Sequence, residues 1–103
     1  MTKEILSRSI DAFISRNKEA IIRDIGTLVA IESVRSEPAE GAPYGIGPRA
    51  ALDAICAMAE QMGLPNGNYG DRVGYAELAG ENPQYIASFS HLDIVPPGNG
   101  WKA

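Results

Sequence analysis

Apolar and polar positions follow a helical period over the first 32 residues. The apolar residues recur mostly in steps of three, four or seven and lie at Ile10, Phe13, Ile14, Ile21, Ile25, Leu28 and Val29. This spacing places them on one side of a helix, so the pattern predicts a helix over residues 1–32. Because a helix with one apolar side must cover it, we expect this helix to pack in a core.

A second helix is predicted over residues 48–63, after an irregular loop at 33–47. Its apolar face is formed by Leu52, Ile55, Ala59 and Met62. Pro48 suits the first helical position, where its missing N–H costs nothing. The run from Gly45 to Ala50 fits a dinucleotide-binding fingerprint, but that motif requires a preceding strand and here follows a loop. We therefore expect no nucleotide cofactor.

Beyond the second helix the period shortens to that of strands. Residues 68–78 alternate, and residues 84–95 are largely apolar on both faces, which is typical of a central strand covered by helices on both sides. The order helix, helix, strand, strand predicts an α/β fold. We expect the two strands to belong to a larger mixed sheet covered by helices, since two strands alone make a marginal sheet.

Composition and charge exclude several function classes. The 103 residues carry a formal net charge of −4, which argues against nucleic acid or an anionic membrane as a partner. Apolar runs fall short of the roughly 20 residues that span a bilayer, and the N-terminus lacks the pattern of a signal peptide. The single Cys excludes an internal disulfide. We expect a cytoplasmic protein in which Cys56 is a buried structural thiol.

The residues that carry chemistry lie at the end of the second predicted strand. Residues i and i+2 of a strand point to the same face, so His91 and Asp93 are expected to project together. An imidazole and a carboxylate on one face suit a metal ligand and an acidic group that orients it. The spacing alone leaves a second interpretation open, in which His91 is a hydrogen-bonded core residue.

The longer string favours the metal site. His91-Leu92-Asp93-Ile94-Val95-Pro96-Pro97-Gly98-Asn99-Gly100-Trp101 resembles the H-x-D-V-V-P-x-G-x-G-W signature of the dizinc aminoacylase, carboxypeptidase and dipeptidase superfamily. Residues 28–34, 44–48 and 73–77 resemble further segments of that superfamily, most closely those of bacterial Xaa-His dipeptidases. The resemblance extends over nearly the whole chain.

The resemblance implies roles for two residues. His91 matches the first zinc ligand of a site that holds two ions, and Asp93 matches the acidic catalytic residue that supports this ligand. The implied reaction is hydrolysis of a dipeptide amide bond by metal-activated water. The bridging Asp, the Glu general base and the other zinc ligands of the family follow the signature Trp, which is Trp101 here. We therefore expect this chain to be the N-terminal part of a catalytic domain and to be inactive by itself.

Two alternatives accompany this hypothesis. Within the same superfamily, the parent protein could act on N-acyl amino acids as a deacylase instead of on small peptides. In a different class, the chain could be a non-catalytic α/β module that acts by association. Because the apolar 84–95 strand would have open edges, we expect the isolated chain to self-associate or to need the rest of its domain.

Overall fold

A computed structural model describes residues 1–100 of the chain. Within them the chain forms two helices followed by an antiparallel pair of strands: α1 (Lys3–Val29), α2 (Ile46–Gln61), β1 (Asn66–Tyr69) and β2 (Val73–Ala76). This order confirms the predicted α/β class, whereas the larger mixed sheet stays a prediction. Neither helix in this part of the chain combines the length and the apolar character needed to cross a membrane.

Helix α1 is anchored to the rest of the fold only through its C-terminal half. Thr2 caps it by accepting a hydrogen bond from the Ile5 N–H at 3.2 Å. Ile25 and Leu28 line an apolar groove together with α2 and β2. Phe13, however, is 56% exposed, and α1 contains no buried residue within the described structure. The predicted packing of the whole apolar side is therefore wrong, because among residues 1–100 no element lies beside its first half.

Helix α2 forms the centre of the small core. The buried apolar residues of the described chain are Ala42, Ala51, Leu52 and Ala59. The helix begins at Ile46, so Pro48 lies in its first turn and not at its first position, and a missing N–H is still harmless there. Leu52 packs so closely on β2 that a Cβ added at Gly74 would lie 2.7 Å from its Cδ1. Cys56 is half-buried and donates weakly to the Gly67 carbonyl at 3.7 Å.

The single strand predicted at 68–78 is a hairpin, which corrects that boundary. β1 pairs with β2 in a register that sets Asn66 opposite Ala76 and Tyr69 opposite Val73. Gly70 and Asp71 have φ of 64° and 59°, the positive values that a tight hairpin turn of type I′ requires. The physical reason is therefore local, since Gly70 and Asp71 accept positive φ values more readily than most residues and so favour a turn over a continuous strand.

The strand predicted at 84–95 is also wrong for the described structure. This segment forms no strand, and its pairing is limited to one parallel bridge between Val34 and Ile94, with the Ile94 N–H donating to the Ser33 carbonyl at 3.2 Å. Ile86 and Phe89 are 103% and 94% exposed. A strand needs neighbours for its backbone groups, and an apolar strand needs cover on both faces. Residues 1–100 supply neither. Trp101, the last residue of the signature, lies outside the described residues.

The fold leaves much more surface in water than a self-contained monomer does. Its accessible surface is 8987 Å², whereas a folded monomer of this mass exposes about 5,600 Å². Its radius of gyration is 16.9 Å, compared with about 13 Å for a compact domain of this length. Much of the excess belongs to apolar side chains of α1 and of residues 84–95. The expectation that the isolated chain self-associates or needs a covering element remains a prediction.

Candidate active-site cleft

His91 and Asp93 are in direct contact. The His91 Nδ1 lies 3.3 Å from Asp93 Oδ1 and 2.9 Å from the Asp93 carbonyl oxygen. When Nδ1 carries the ring proton it donates to that carbonyl, and the lone pair of Nε2 stays available for a ligand. The structure therefore brings together the two residues that the sequence singled out, although the strand expected to carry them is absent from the described fold.

The surroundings of this pair are open. The side chains of His91 and Asp93 are 85% and 57% exposed. Across residues 1–100, groups of three or more His, Cys, Asp or Glu side chains suited to holding a metal ion are absent. The described chain thus offers one imidazole and one carboxylate, which falls short of the four-coordinate shell that zinc usually takes.

The pair lies at the edge of a cleft of about 540 Å³. Four segments form its walls: the loop between the helices, the start of α2, the hairpin turn and residues 88–93. Its lining residues are Arg35, Ala42, Pro43, Tyr44, Gly45, Pro48, Arg49, Leu52, Ile55, Asp71, Arg72, Val73, Gly74, Ser88, Phe89, Ser90, His91, Leu92 and Asp93. The loop predicted at 33–47 is therefore part of a site wall, as the length of an irregular segment inside a small fold suggests.

Arg49 holds three of these walls together. From α2, its Nη1 donates to the Gly41 carbonyl at 2.7 Å and to Asp71 Oδ1 at 2.6 Å, while its Nε donates to Asp53 Oδ1 at 3.0 Å. The hydrogen bond from Arg49, helped by one from Asn68, lowers the pKa of the Asp71 carboxyl below its usual value. The same contacts, led by that to Asp71, raise the pKa of Arg49. The loop, the helix and the hairpin turn are therefore tied through one guanidinium.

A second cationic feature lies on the wall of the cleft. The guanidinium carbons of Arg35 and Arg72 lie 5.2 and 5.9 Å from the centre of the Tyr44 ring. Both distances fall within the range of cation–π attraction. Tyr44 and Arg35 come from the loop and Arg72 from the hairpin turn, so this contact also joins two segments that are distant in sequence.

Sequence reasoning missed the residues of this wall. Only the Arg49–Asp53 pair, at i and i+4 on one helix, carried a local signal. The pairing of Arg49 with Asp71, 22 residues later, arises from the tertiary packing of the hairpin on α2. The stacking of two arginines on Tyr44 has the same origin, and single-sequence patterns do not report it.

Known proteins match this chain over most of its length. It is 36% identical over 90 residues to "Putative dipeptidase YtjP" of Bacillus subtilis (strain 168), a match that covers 85% of this chain and 19% of that protein. It is 37% identical over 92 residues to "Putative dipeptidase SAUSA300_1697" of Staphylococcus aureus (strain USA300), which covers 87% of this chain and 19% of that protein. The chain is thus similar to one part of these bacterial proteins.

The match covers only part of each relative. The chain spans about one fifth of the length of these curated relatives. No model of a known protein family matches it. The similarity agrees with the dipeptidase hypothesis drawn from the sequence, and the names of these relatives do not mention a metal.

Proposed function

We propose that this chain contributes the His91 part of the active site of a zinc-dependent dipeptidase. The observation in the structure that carries the proposal is the contact between His91 and Asp93. Support from outside the structure comes from the relatives named as dipeptidases, which match 85–87% of the chain. The residues from His91 to Gly100 that resemble the family signature lie within the described structure.

The pair fits one ligand and its supporting group. A metal-bound histidine usually donates its other ring N–H to a carboxylate or a backbone carbonyl, and Asp93 provides both within 3.3 Å of His91 Nδ1. His91 would hold zinc through Nε2, while Asp93 fixes the ring and supplies negative charge. A zinc ion at such a site supplies an activated water and polarises the scissile carbonyl.

The described residues do not complete the site. Because one imidazole and its neighbouring carboxylate cannot hold two ions, the remaining ligands must come from other residues or another chain. We therefore expect the 103-residue chain alone to show no dipeptidase activity and to bind zinc weakly. This expectation separates the proposal from one in which the chain is itself a complete enzyme.

The test uses the complete gene product that carries this sequence, purified with and without chelator. We expect it to hydrolyse dipeptides, and His91→Ala to lower both the bound zinc and kcat/KM. Asp93→Asn is expected to lower metal affinity or activity by about 10- to 100-fold, as changes to a supporting group typically do. Asp11→Asn, on the exposed face of α1, is the matched control and should leave both unchanged.

Two results would contradict the proposal. Undiminished hydrolysis by His91→Ala, or by protein whose metal has been removed, would show that the chemistry does not depend on this residue or on zinc. Faster turnover of N-acyl amino acids than of dipeptides in the same assay would instead favour the deacylase alternative within the same superfamily. The association-module alternative predicts neither hydrolysis nor stoichiometric zinc, and the large exposed apolar surface is the observation that favours it.

A further inference from the structure

The wall formed by Arg35, Tyr44 and Arg72 presents positive charge that the fold does not neutralise. Each guanidinium lies over or beside the Tyr44 ring, at 5.2 and 5.9 Å from its centre. Within residues 1–100, neither arginine has an ion-pair partner, and Arg72 donates to the carbonyl of Gly70 at 3.1 Å. Both residues are exposed to the cleft, so their remaining N–H groups are available to an anion.

This wall is held in place by the backbone around it. The Ser36 N–H donates to the Tyr44 carbonyl at 3.0 Å, which closes the loop that carries Arg35 and Tyr44. Arg49 ties that loop to the hairpin turn through Gly41 and Asp71. The loop and the hairpin turn that carry Arg35 and Arg72 are therefore fixed to each other without either guanidinium, and a site positioned in this way loses little entropy when a ligand binds.

The charge of the cleft is opposite to that of the chain. The chain carries a formal net charge of −4. In the cleft, the Asp71 carboxylate is paired with Arg49 and interacts at longer range with Arg72, which helps to lower the pKa of Asp71. The other charged groups that line the cleft are Arg35 and Asp93, so the cationic side chains outnumber the carboxylates by three to two. A planar guanidinium offers a fork of N–H donors that matches the two oxygens of a carboxylate. The wall thus offers donors that fit a small oxyanion such as a carboxylate.

We propose that Arg35 and Arg72 bind the carboxylate of a peptide substrate in the same cleft that His91 and Asp93 border. This proposal rests on the proposed function for the choice of ligand, since a dipeptide carries a free carboxylate close to its amide bond. The arginines would recognise a substrate by its terminus, and they would do so whether or not a metal is bound. They act as binding residues that line the same cleft as the predicted metal ligand.

Binding can be measured without any chemistry. The complete gene product that carries this sequence is titrated with alanylalanine and with alanylalanine amide in the presence of a chelator, and side-chain NMR signals of Arg35, Arg72 and Tyr44 are followed. We expect the free dipeptide to shift these signals and the amide to shift them much less. Arg35→Gln and Arg72→Gln should each weaken binding by about three- to fivefold, as the loss of an exposed ion pair does. Arg8→Gln, on α1, should leave it unchanged.

Several outcomes would overturn the proposal. Equal binding of the dipeptide and its amide would show that the carboxylate is not recognised. Equal weakening by Arg8→Gln would show a non-specific response to charge, and tighter binding of inorganic phosphate than of the dipeptide would show a different anion site. Arg35→Lys keeps the positive charge but loses the forked pair of N–H donors. A dipeptide affinity lower than that of the unchanged protein but higher than that of Arg35→Gln would therefore support bidentate binding of the carboxylate.

The same measurements separate this proposal from the proposed function. Because the titration is done in chelator, its result does not depend on zinc or on hydrolysis. If Arg35 and Arg72 bind the carboxylate but the gene product does not hydrolyse dipeptides, the carboxylate subsite would be supported and the dipeptidase proposal would be rejected. If the gene product hydrolyses dipeptides but Arg35 and Arg72 do not bind the carboxylate, the dipeptidase proposal would be supported and the subsite would be rejected.

Discussion

Gly47 lies where helix α2 meets the backbone that leads out of α1. A Cβ added at this position would overlap the Glu32 carbonyl oxygen and lie 3.3 Å from the Ser33 Cα. Both neighbours are backbone atoms, which cannot rotate away as the end of a side chain can. Replacing Gly47 with Ala must therefore separate the start of α2 from residues 32–33, and Ser33 is the residue whose carbonyl receives the Ile94 N–H.

The magnitude follows from two opposing effects. Alanine is more favourable than glycine inside a helix by about 1 kcal/mol. Overpacking against fixed atoms costs about 1–3 kcal/mol, and losing the hydrogen bond between Ser33 and Ile94 costs about 1 kcal/mol more. We expect Gly47→Ala to lower the free energy of unfolding by about 1–3 kcal/mol, and to loosen the segment that carries His91 and Asp93.

The matched control is the same substitution on the other helix. Within the described structure a Cβ at Gly26, inside α1, would meet no atom within 4 Å. Gly26→Ala should therefore raise stability by about 0.5–1 kcal/mol through helix propensity alone. Urea unfolding followed by circular dichroism measures both changes. If Gly47→Ala stabilised the chain as much as Gly26→Ala, the close approach of α2 to residues 32–33 would be refuted.

Three further predictions test the packing, the ion pair and the exposed surface. Leu52→Ala should destabilise the chain by about 2–5 kcal/mol because Leu52 is 4% exposed, whereas Leu78→Ala, at 83% exposed, should change little; equal effects in urea unfolding would contradict this. Because the ion pair lowers the pKa of Asp71, it stabilises the fold at pH values above the usual pKa of 3.8, and this stabilisation is lost as the pH falls through the lower pKa of the folded state. Asp71→Asn should remove this pH-dependent part of the free energy of unfolding, whereas the control Asp11→Asn should retain it. If the pH dependence of unfolding were unchanged in Asp71→Asn, the Arg49–Asp71 ion pair would not be its source. Light scattering at micromolar concentration should show self-association, and a well-folded monomer would contradict it.

Local patterns were sufficient for the helices. The 3.6-residue period of apolar positions located both helices to within a few residues, because this period depends only on neighbours along the chain. The hairpin carried a local signal as well, in the Gly70-Asp71 pair, whose positive φ values fit a tight turn. The contact between His91 and Asp93 agrees with the prediction from their spacing of two residues, although the segment that carries them forms no strand.

The sequence by itself thus determined the two helices and the α/β class, and it predicted the contact between His91 and Asp93. Tertiary structure decided which surfaces are covered: the first half of α1 and residues 84–95 stay exposed in the described chain, although their composition predicts burial. It also decided the cleft, where Arg49 reaches Asp71 and two arginines meet on Tyr44. Periodicity records which side of an element is apolar, but burial and ion pairing depend on residues far away in the chain that must be brought within a few ångströms.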